Sequence, residues 1–140
     1  MDTFHNSVNS FSRTLTSFFD DRLSRFNLAT SYVELMILMR GHESVSQKEI
    51  ADMLSLAPST ITRFVDKLRK EGYITKKRRG RNMTIELTEE GRLISSDMEK
   101  EYQEAVQVIR ELMGEKYLET VGKLLEYGSR ELEHLDEEGD

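Results

Sequence analysis

Cysteine is absent from this sequence of 140 residues, and proline occurs only once. Without cysteine the chain can form no disulfide, no thiolate metal site and no thiol-based redox sensor. The scarcity of proline argues against a loop-rich architecture. No apolar run approaches the roughly 20 residues that a membrane span needs. No basic and apolar leader opens the chain, so we expect a cytoplasmic protein without a membrane segment.

The charge of the chain is unevenly distributed. The formal net charge is −6 at pH 7, yet the segment 63–81 contains nine basic residues and only two acidic ones. That segment therefore carries +7, and the rest of the chain carries −13. A basic patch on an acidic body is typical of proteins that bind a phosphate backbone. A solvated basic face without a partner would give the same count.

Both ends of the chain show the apolar period of packed helices. The first helix is predicted from about residue 3 to 25 by a regular set of apolar side chains, namely Phe4, Val8, Phe11, Leu15 and Phe18. A second helix should begin at Ser31, in a capping box with Glu34. Thr88 is predicted to cap a long helical region that Gly114 interrupts and that ends in an acidic tail.

Two helical signals follow each other closely in the middle of the chain. Ser46 and Glu49 form a capping box that opens one helix. Pro58 suits the first position of the next helix, because the N–H that it lacks would be unpaired there. Only residues 55–57 separate the two helices, and Gly72 ends the second. Two helices joined by so short a turn form a helix-turn-helix.

The apolar period then changes from 3.6 to 2 residues. Ile74 begins a short strand, and a second strand is indicated by the alternating apolar residues Met83, Ile85 and Leu87. The basic segment 76–82 lies between them, and its Gly80 and Asn82 can adopt left-handed backbone geometry. We therefore predict a hairpin with a positively charged tip.

The second helix of the helix-turn-helix has an apolar and a polar face. The apolar positions that should dock on the preceding helix are Ile61, Phe64, Val65 and Leu68. Arg63 is long enough to reach O6 and N7 of guanine in a major groove. Since Ala57 is a poor cap, N–H groups at this helix end are expected to stay available for a phosphate. The predicted DNA contacts of the two helices are Ser46, Gln47, Pro58, Ser59, Thr60, Thr62, Arg63 and Lys67.

The hairpin is predicted to supply a second contact. Arg78, Arg79 and Arg81 can enter a narrow minor groove, where the negative potential favours arginine. Lys76 and Lys77 lie nearer the strand and suit phosphates. A helix-turn-helix pattern alone, or a basic turn alone, is also common in proteins that bind no DNA. Their order of helix, turn, helix and basic hairpin is the more specific indication; a winged helix that binds only other proteins is the alternative.

Residues 46–91 resemble the winged helix of the multiple-antibiotic-resistance regulator (MarR) family. The resemblance lies in residues 59–68, 72–74 and 87–91. It implies a mainly α (α+β) fold, a winged helix-turn-helix with a two-stranded wing, flanked by N- and C-terminal dimerisation helices. It also implies a transcriptional regulator, a repressor of the kind that a small ligand relieves.

The wing departs from the family pattern. The family usually carries an Asp-x-Arg signature at the wing tip, whereas Arg79 stands here in the place of the aspartate, two residues before Arg81. We therefore expect that an ion pair within the wing is missing and that the wing is shorter than usual. The absence of cysteine excludes the peroxide-sensing type of this family.

The terminal helices carry apolar stripes that one small domain cannot easily bury. A two-fold homodimer would cover them and would place two reading helices about 34 Å apart on a palindromic operator of double-stranded DNA. A monomer that folds its own stripes together is the alternative. The predicted domains are 1–28 for the first dimerisation helix, 29–91 for the winged helix-turn-helix, and 92–140 for the C-terminal dimerisation helices with the acidic tail.

The sequence also predicts that a small aromatic or anionic effector binds the protein. The candidate pocket residues are Phe11, Phe18, Tyr32, Met36 and Tyr102, with Arg13 or Arg22 for an anionic group. The same side chains at helical spacing are also typical of plain core. The sequence shows no glycine-rich phosphate loop, no metal-spaced pair and no Ser/His/Asp set, so we expect neither an enzyme nor a cofactor.

Overall fold

The computed structural model describes residues 3–138 and is mainly helical, with one small antiparallel sheet. Its elements in chain order are α1 (Phe4–Arg22), a short 3-10 helix (Ser24–Phe26), α2 (Thr30–Arg40), β1 (Val45–Ser46), α3 (Gln47–Leu54), α4 (Pro58–Lys70), β2 (Ile74–Arg79), β3 (Asn82–Leu87), α5 (Glu89–Met113) and α6 (Glu115–Glu138). The mainly α winged-helix fold predicted from the sequence is confirmed.

The sheet has one strand more than the predicted two-stranded wing. β1 pairs antiparallel with β3, and the strand order is β1-β3-β2. The sequence did not predict β1 because a strand of two residues is too short to show alternation. No helix within residues 3–138 combines the length and the apolar character that crossing a membrane would require.

The chain divides into two compact units, with the border between Tyr102 and Gln103. The predicted domain borders after residues 28 and 91 both lie inside the first unit. The division of the chain into a DNA-binding module and dimerisation helices therefore stays a prediction. In the second unit, α6 continues through the acidic segment to Glu138. The last two residues of the predicted acidic tail, 139 and 140, lie outside the described residues.

The core of the first unit lies among α2, α4, β3 and the first part of α5. Its large side chains with less than 2% exposure include Leu23, Leu35, Met36, Met39, Ile50, Ile61, Leu68, Ile85 and Met98. Polar contacts add to this packing: Arg40 Nε donates to Glu99 Oε2 at 2.9 Å, and the Tyr102 hydroxyl donates to Glu34 Oε2 at 3.0 Å. The middle of α5 is thereby fixed to α2.

The N-terminus of α2 is capped by a residue from α1. Asp20 Oδ1 accepts hydrogen bonds from the Thr30 N–H at 2.9 Å and from the Thr30 hydroxyl at 2.6 Å. The predicted capping box of Ser31 with Glu34 is therefore wrong, because Ser31 already lies inside the helix. The first helix also ends earlier than predicted, at Arg22, since the chain there turns into the 3-10 helix.

The start of α5 is fixed against the end of α4. The Thr88 hydroxyl donates to the Gly72 carbonyl at 2.6 Å and accepts from the Gly91 N–H at 2.9 Å, so Thr88 caps α5 as predicted. The Thr88 N–H also donates to the Tyr73 carbonyl at 3.0 Å. Gly91 lies so close to that carbonyl that an added Cβ would be 2.1 Å from its oxygen. Only glycine fits this position without a shift of the backbone.

Candidate nucleic-acid interface

The helix-turn-helix consists of α3 and α4, and the caps of both helices are as predicted. Ser46 Oγ accepts from the Glu49 N–H at 3.1 Å, and Glu49 Oε2 accepts from the Ser46 N–H at 3.3 Å. The Ser46 hydroxyl thus caps the N-terminus of α3, although the sequence analysis predicted that it contacts DNA. Gln47, the other predicted contact on α3, is half-buried, and its Nε2 is buried without a hydrogen-bond partner among the described residues.

Helix α4 separates into a buried and an exposed face. Its buried residues are Ile61, Phe64, Val65 and Leu68. Its exposed residues include five of the predicted contacts, namely Pro58, Ser59, Thr62, Arg63 and Lys67, while Thr60 is half-buried. The Thr62 hydroxyl donates to the Pro58 carbonyl at 3.1 Å, which leaves its oxygen as an acceptor. The predicted contact face of α4 is therefore accessible, with its side chains held by a helix whose other face is fixed in the core.

The N-terminus of α4 offers fewer free donors than the sequence suggested. Ala57 provides no side-chain cap, as expected, but its carbonyl accepts from the N–H groups of both Thr60 at 3.0 Å and Ile61 at 3.1 Å. Pro58 has no N–H. Of the first helical residues, Ser59 therefore has the N–H group that remains available to an anion.

The wing turns more tightly than the predicted basic turn over residues 76–82. β2 and β3 stay paired as far as Arg79 and Asn82, so the connection consists of Gly80 and Arg81 alone. Gly80 has a φ of 64°, as the first residue of a two-residue type II′ turn requires. Asn82 is therefore a strand residue, and Arg81 is the tip.

One carboxylate in the wing binds two of its cations. Glu86 accepts from Arg79 Nη2 at 2.9 Å, and its other oxygen is 3.0 Å from Lys77 Nζ. These hydrogen bonds, the one from Arg79 first, hold the pKa of Glu86 below its usual value. Arg81 is thus without the partner that the family's aspartate would supply, as predicted, but the wing has a different ion pair that the sequence did not indicate, between Glu86 and the cations Lys77 and Arg79.

The other wing cations differ in their surroundings. Lys76 Nζ lies 4.0 Å from Asp66 on α4. Arg78 and Arg81 are exposed and form no ion pair within residues 3–138. Of the three predicted minor-groove arginines, Arg78 and Arg81 are thus unengaged, whereas Arg79 is bound to Glu86.

The predicted effector residues do not form one site. Tyr102 stacks on Phe19 with ring centroids 4.9 Å apart, and Phe18 contacts Phe19 edge-on at 5.6 Å. Tyr32 lies elsewhere, stacked on Phe64 of α4 at 4.0 Å. The reason is that Tyr102 contacts α2 through Glu34, and residues 32 and 34 are about 200° apart around a helix.

The remaining effector residues of the prediction also differ in their surroundings. Met36 is fully buried in the core, and Phe11 is half-buried. Arg22, not Arg13, lies beside the aromatic cluster, with its guanidinium carbon 5.1 Å from the Phe18 ring centroid. Arg13 is exposed and lies about 140° from Phe18 around α1.

Tyr32 of α2 lies beside the exposed face of α4, and the sequence analysis did not predict this position. It lines a groove together with six residues of α4, among them Arg63 and Lys67. Lys67 Nζ lies 4.9 Å from the Tyr32 ring centroid. Helix α2 is apolar on most sides, so its periodicity did not indicate which side faces α4.

Comparison with known proteins gives the same fold. The model of the MarR family matches residues 29–82. An uncharacterised HTH-type transcriptional regulator from Bacillus cereus is 35% identical over 69 residues, which are 49% of this chain and 47% of the relative. The match thus spans about half the length of such curated relatives.

Solved structures resemble the chain over nearly its whole length. Ligand-free NadR has a TM-score of 0.82 at 17% identity, over 96% of this chain and 99% of that one. The transcriptional repressor CouR bound to a 23-mer DNA duplex has a TM-score of 0.81 at 17% identity, over 91% and 92% of the two chains. CouR from Rhodococcus jostii RHA1 bound to p-coumaroyl-CoA has a TM-score of 0.76 at 22% identity, over 89% of each. These likenesses show the fold, and the match to the MarR family model covers its helix-turn-helix and the first strand of the wing.

Proposed function

We propose that this chain is a cytoplasmic transcriptional regulator rather than an enzyme. It binds a palindromic operator in double-stranded DNA as a homodimer and represses until a small ligand relieves it. The observation that carries the proposal is the division of α4, whose one face is buried while Ser59, Thr62, Arg63 and Lys67 are exposed on the other. A helix fixed in this way can enter a major groove with its polar side chains already in place.

The relatives support this function. The matching Bacillus cereus protein is described as an HTH-type transcriptional regulator, and CouR is a transcriptional repressor seen on a DNA duplex. The surface charge agrees, since Arg78 and Arg81 extend the cationic surface of α4 along the wing. Contacts of this kind release counterions, so DNA affinity should fall as salt rises, with a slope of roughly −0.9 per phosphate neutralised.

The test is selection of bound duplexes from random DNA, followed by a salt titration on the selected sequence. We expect a palindromic consensus and binding at least about 1000-fold tighter than to unrelated DNA. The alternative, a winged helix that binds only proteins, predicts no enrichment of any sequence. Such a result would overturn the proposal.

The exposed stripe on α6 supports a second chain as its partner. The stripe residues Leu125, Leu132 and Leu135 are 51%, 67% and 63% exposed. Their spacing of seven and three residues places them on one side of the helix. We propose that two copies of the chain cover these residues in a homodimer, because a stripe of this kind is costly in water.

The dimer can be tested with one substitution. Leu132→Glu should convert the dimer largely to monomer in light scattering at micromolar concentration, because it places a charge within the apolar contact. Lys123→Glu, a larger change toward negative charge at a position outside the stripe, should leave the dimer intact. A wild-type chain that is monomeric at these concentrations would refute this part of the proposal.

The wing provides a further prediction. Arg81→Ala should weaken operator binding by about tenfold and reduce the salt slope by about 0.9 per subunit. Arg79→Ala should change the affinity less than about threefold, because Glu86 already neutralises this side chain. Both are measured by fluorescence anisotropy over a salt series. Equal effects of the two substitutions would contradict the assignment of Arg81 as the tip contact.

We propose further that the effector is a small aromatic or anionic compound. The support is the aromatic cluster of Phe18, Phe19 and Tyr102 with Arg22 beside it, and the p-coumaroyl-CoA bound to CouR. Burial, and then the charge of Glu34, raises the pKa of Tyr102, so its hydroxyl stays protonated and keeps its hydrogen bond to Glu34. Release of operator DNA by p-coumarate or p-coumaroyl-CoA tests this; no release by either compound counts against it.

A further inference from the structure

A groove runs along α4 on the side that faces the first turn of α2. Tyr32 contributes from α2, and the cations Arg63, Lys67 and Lys70 contribute from α4. Asp66 is the one acid that lines the groove, and it also lies 4.0 Å from Lys76 of the wing. With three cations and one acid, the groove has a formal charge of +2. This is a suitable environment for one phosphate group of a DNA backbone.

The Tyr32 ring contacts two residues of α4. It stacks on Phe64, with centroids 4.0 Å apart and planes inclined by 23°, while Lys67 Nζ is 4.9 Å from the ring centroid. The buried Phe64 fixes the ring, and the ring in turn attracts the ammonium group. The Tyr32 hydroxyl differs from that of Tyr102, which donates to Glu34: it has no protein partner in the described part of the chain.

The position of Tyr32 is set by the cap of its helix. Tyr32 lies two residues after Thr30, whose N–H and hydroxyl both bind Asp20. The first turn of α2 is therefore fixed to α1, and the ring is fixed to α4 through Phe64. A hydroxyl held in place before DNA arrives loses little conformational entropy on binding.

We propose that Tyr32 is a DNA-backbone contact, which rests on the DNA binding proposed above. Its hydroxyl donates a hydrogen bond to a phosphate oxygen, and its ring holds the Lys67 ammonium beside the same phosphate. Such a contact carries no base information but fixes the register of α4 in the groove. Tyr32 thus belongs to the DNA surface and not to the effector pocket.

The test compares two tyrosine-to-phenylalanine variants of the full chain. Tyr32→Phe keeps the ring and removes only the hydroxyl, so we expect about fivefold weaker binding for each subunit that no longer donates this hydrogen bond. Tyr73→Phe is the matched control in the same module. Burial and the carboxylates Glu71 and Glu90 raise the pKa of Tyr73. A phosphate would be repelled by these two acids, so we expect no backbone contact at Tyr73. The affinity of the Tyr73→Phe variant for DNA should equal that of the wild type.

Two further readouts separate a phosphate contact from a structural role. Tyr32→Phe should weaken binding to the operator and to an unrelated duplex by the same factor, with an unchanged salt slope, because no charge is removed. Lys67→Gln should reduce the slope by about 0.9 per subunit. The melting temperature of Tyr32→Phe should match that of the wild type.

The outcomes distinguish this inference from the function on which it rests. A wild-type chain that binds no DNA refutes the proposed function. A wild-type chain that binds its operator while Tyr32→Phe binds equally well refutes only the role of Tyr32. A weakening confined to the operator would also overturn the inference, since it would show that Tyr32 contributes to base recognition.

Discussion

Replacing Arg63 with alanine should weaken operator binding by about 100-fold or more without unfolding the protein. Arg63 is exposed on the reading face of α4, and its guanidinium carbon is 5.9 Å from the Phe64 ring centroid. Because the side chain is exposed and forms no ion pair within residues 3–138, it can extend from this ring into a major groove. A bidentate pair of arginine and guanine contributes about 1–3 kcal/mol of discrimination, and a dimer makes two such pairs.

The matched control for Arg63 is on the same helix. Arg69 lies about 240° further around α4 and lines a different groove, together with Ile74 and Thr75 of β2. Arg69→Ala removes the same charge but leaves the reading face intact, so we expect binding weaker by less than about threefold. Anisotropy on the selected operator and on a duplex with its guanines replaced measures both variants. Equal effects would show that charge, and not the position of Arg63, determines the affinity.

The largest effect on stability is expected for Gly91→Ala. The new Cβ would lie 2.1 Å from the Tyr73 carbonyl oxygen and 3.0 Å from the carbonyl carbon, both of which belong to the backbone. A backbone atom cannot turn aside as a side chain can, so either α5 or the β2 entry must move. We expect the free energy of unfolding to fall by about 3 kcal/mol, at the upper end of the range for overpacked sites. This corresponds to a melting temperature lower by about 10 °C.

Gly41→Ala is the control for this substitution. Gly41 has a φ of −81°, and a Cβ there would meet the Leu38 carbonyl oxygen at an ordinary 3.7 Å. Its melting temperature should change by only a few degrees. Both variants must be melted at one protein concentration, since a dimer melts at a temperature that depends on concentration. A Gly91→Ala variant as stable as Gly41→Ala would contradict the close approach to Tyr73.

Local signals predicted much of the fold. The capping box of Ser46 and Glu49, Pro58 at the start of α4 and Thr88 at the start of α5 all lie where the sequence placed them. Each involves residues within a few positions of one another, so the sequence contains the whole interaction. The separate faces of α4 were predictable for the same reason, because their period is a property of one helix.

The predictions that were wrong concern partners that are distant in the sequence. Asp20 caps α2 from ten residues away, a contact that no local motif specifies. Glu86 binds Arg79, which was assigned to a minor groove, from the opposite strand and seven residues away. Tyr32 was assigned to an effector pocket because the sequence does not show which side of the apolar helix α2 faces α4. Tertiary packing settled all three.

The pairing of Glu86 with Lys77 and Arg79 should affect how long the protein stays bound to DNA that does not contain its operator. A wing with all its cations free would hold any stretch of duplex strongly, and the protein would leave wrong sites slowly. Because Glu86 binds two of these cations, contact with non-operator DNA releases fewer counterions and should be shorter-lived. Residence times on unrelated DNA, compared between the wild type and Glu86→Gln, would show this as slower departure of the variant. The acid in the wing would then make the protein faster at finding its operator.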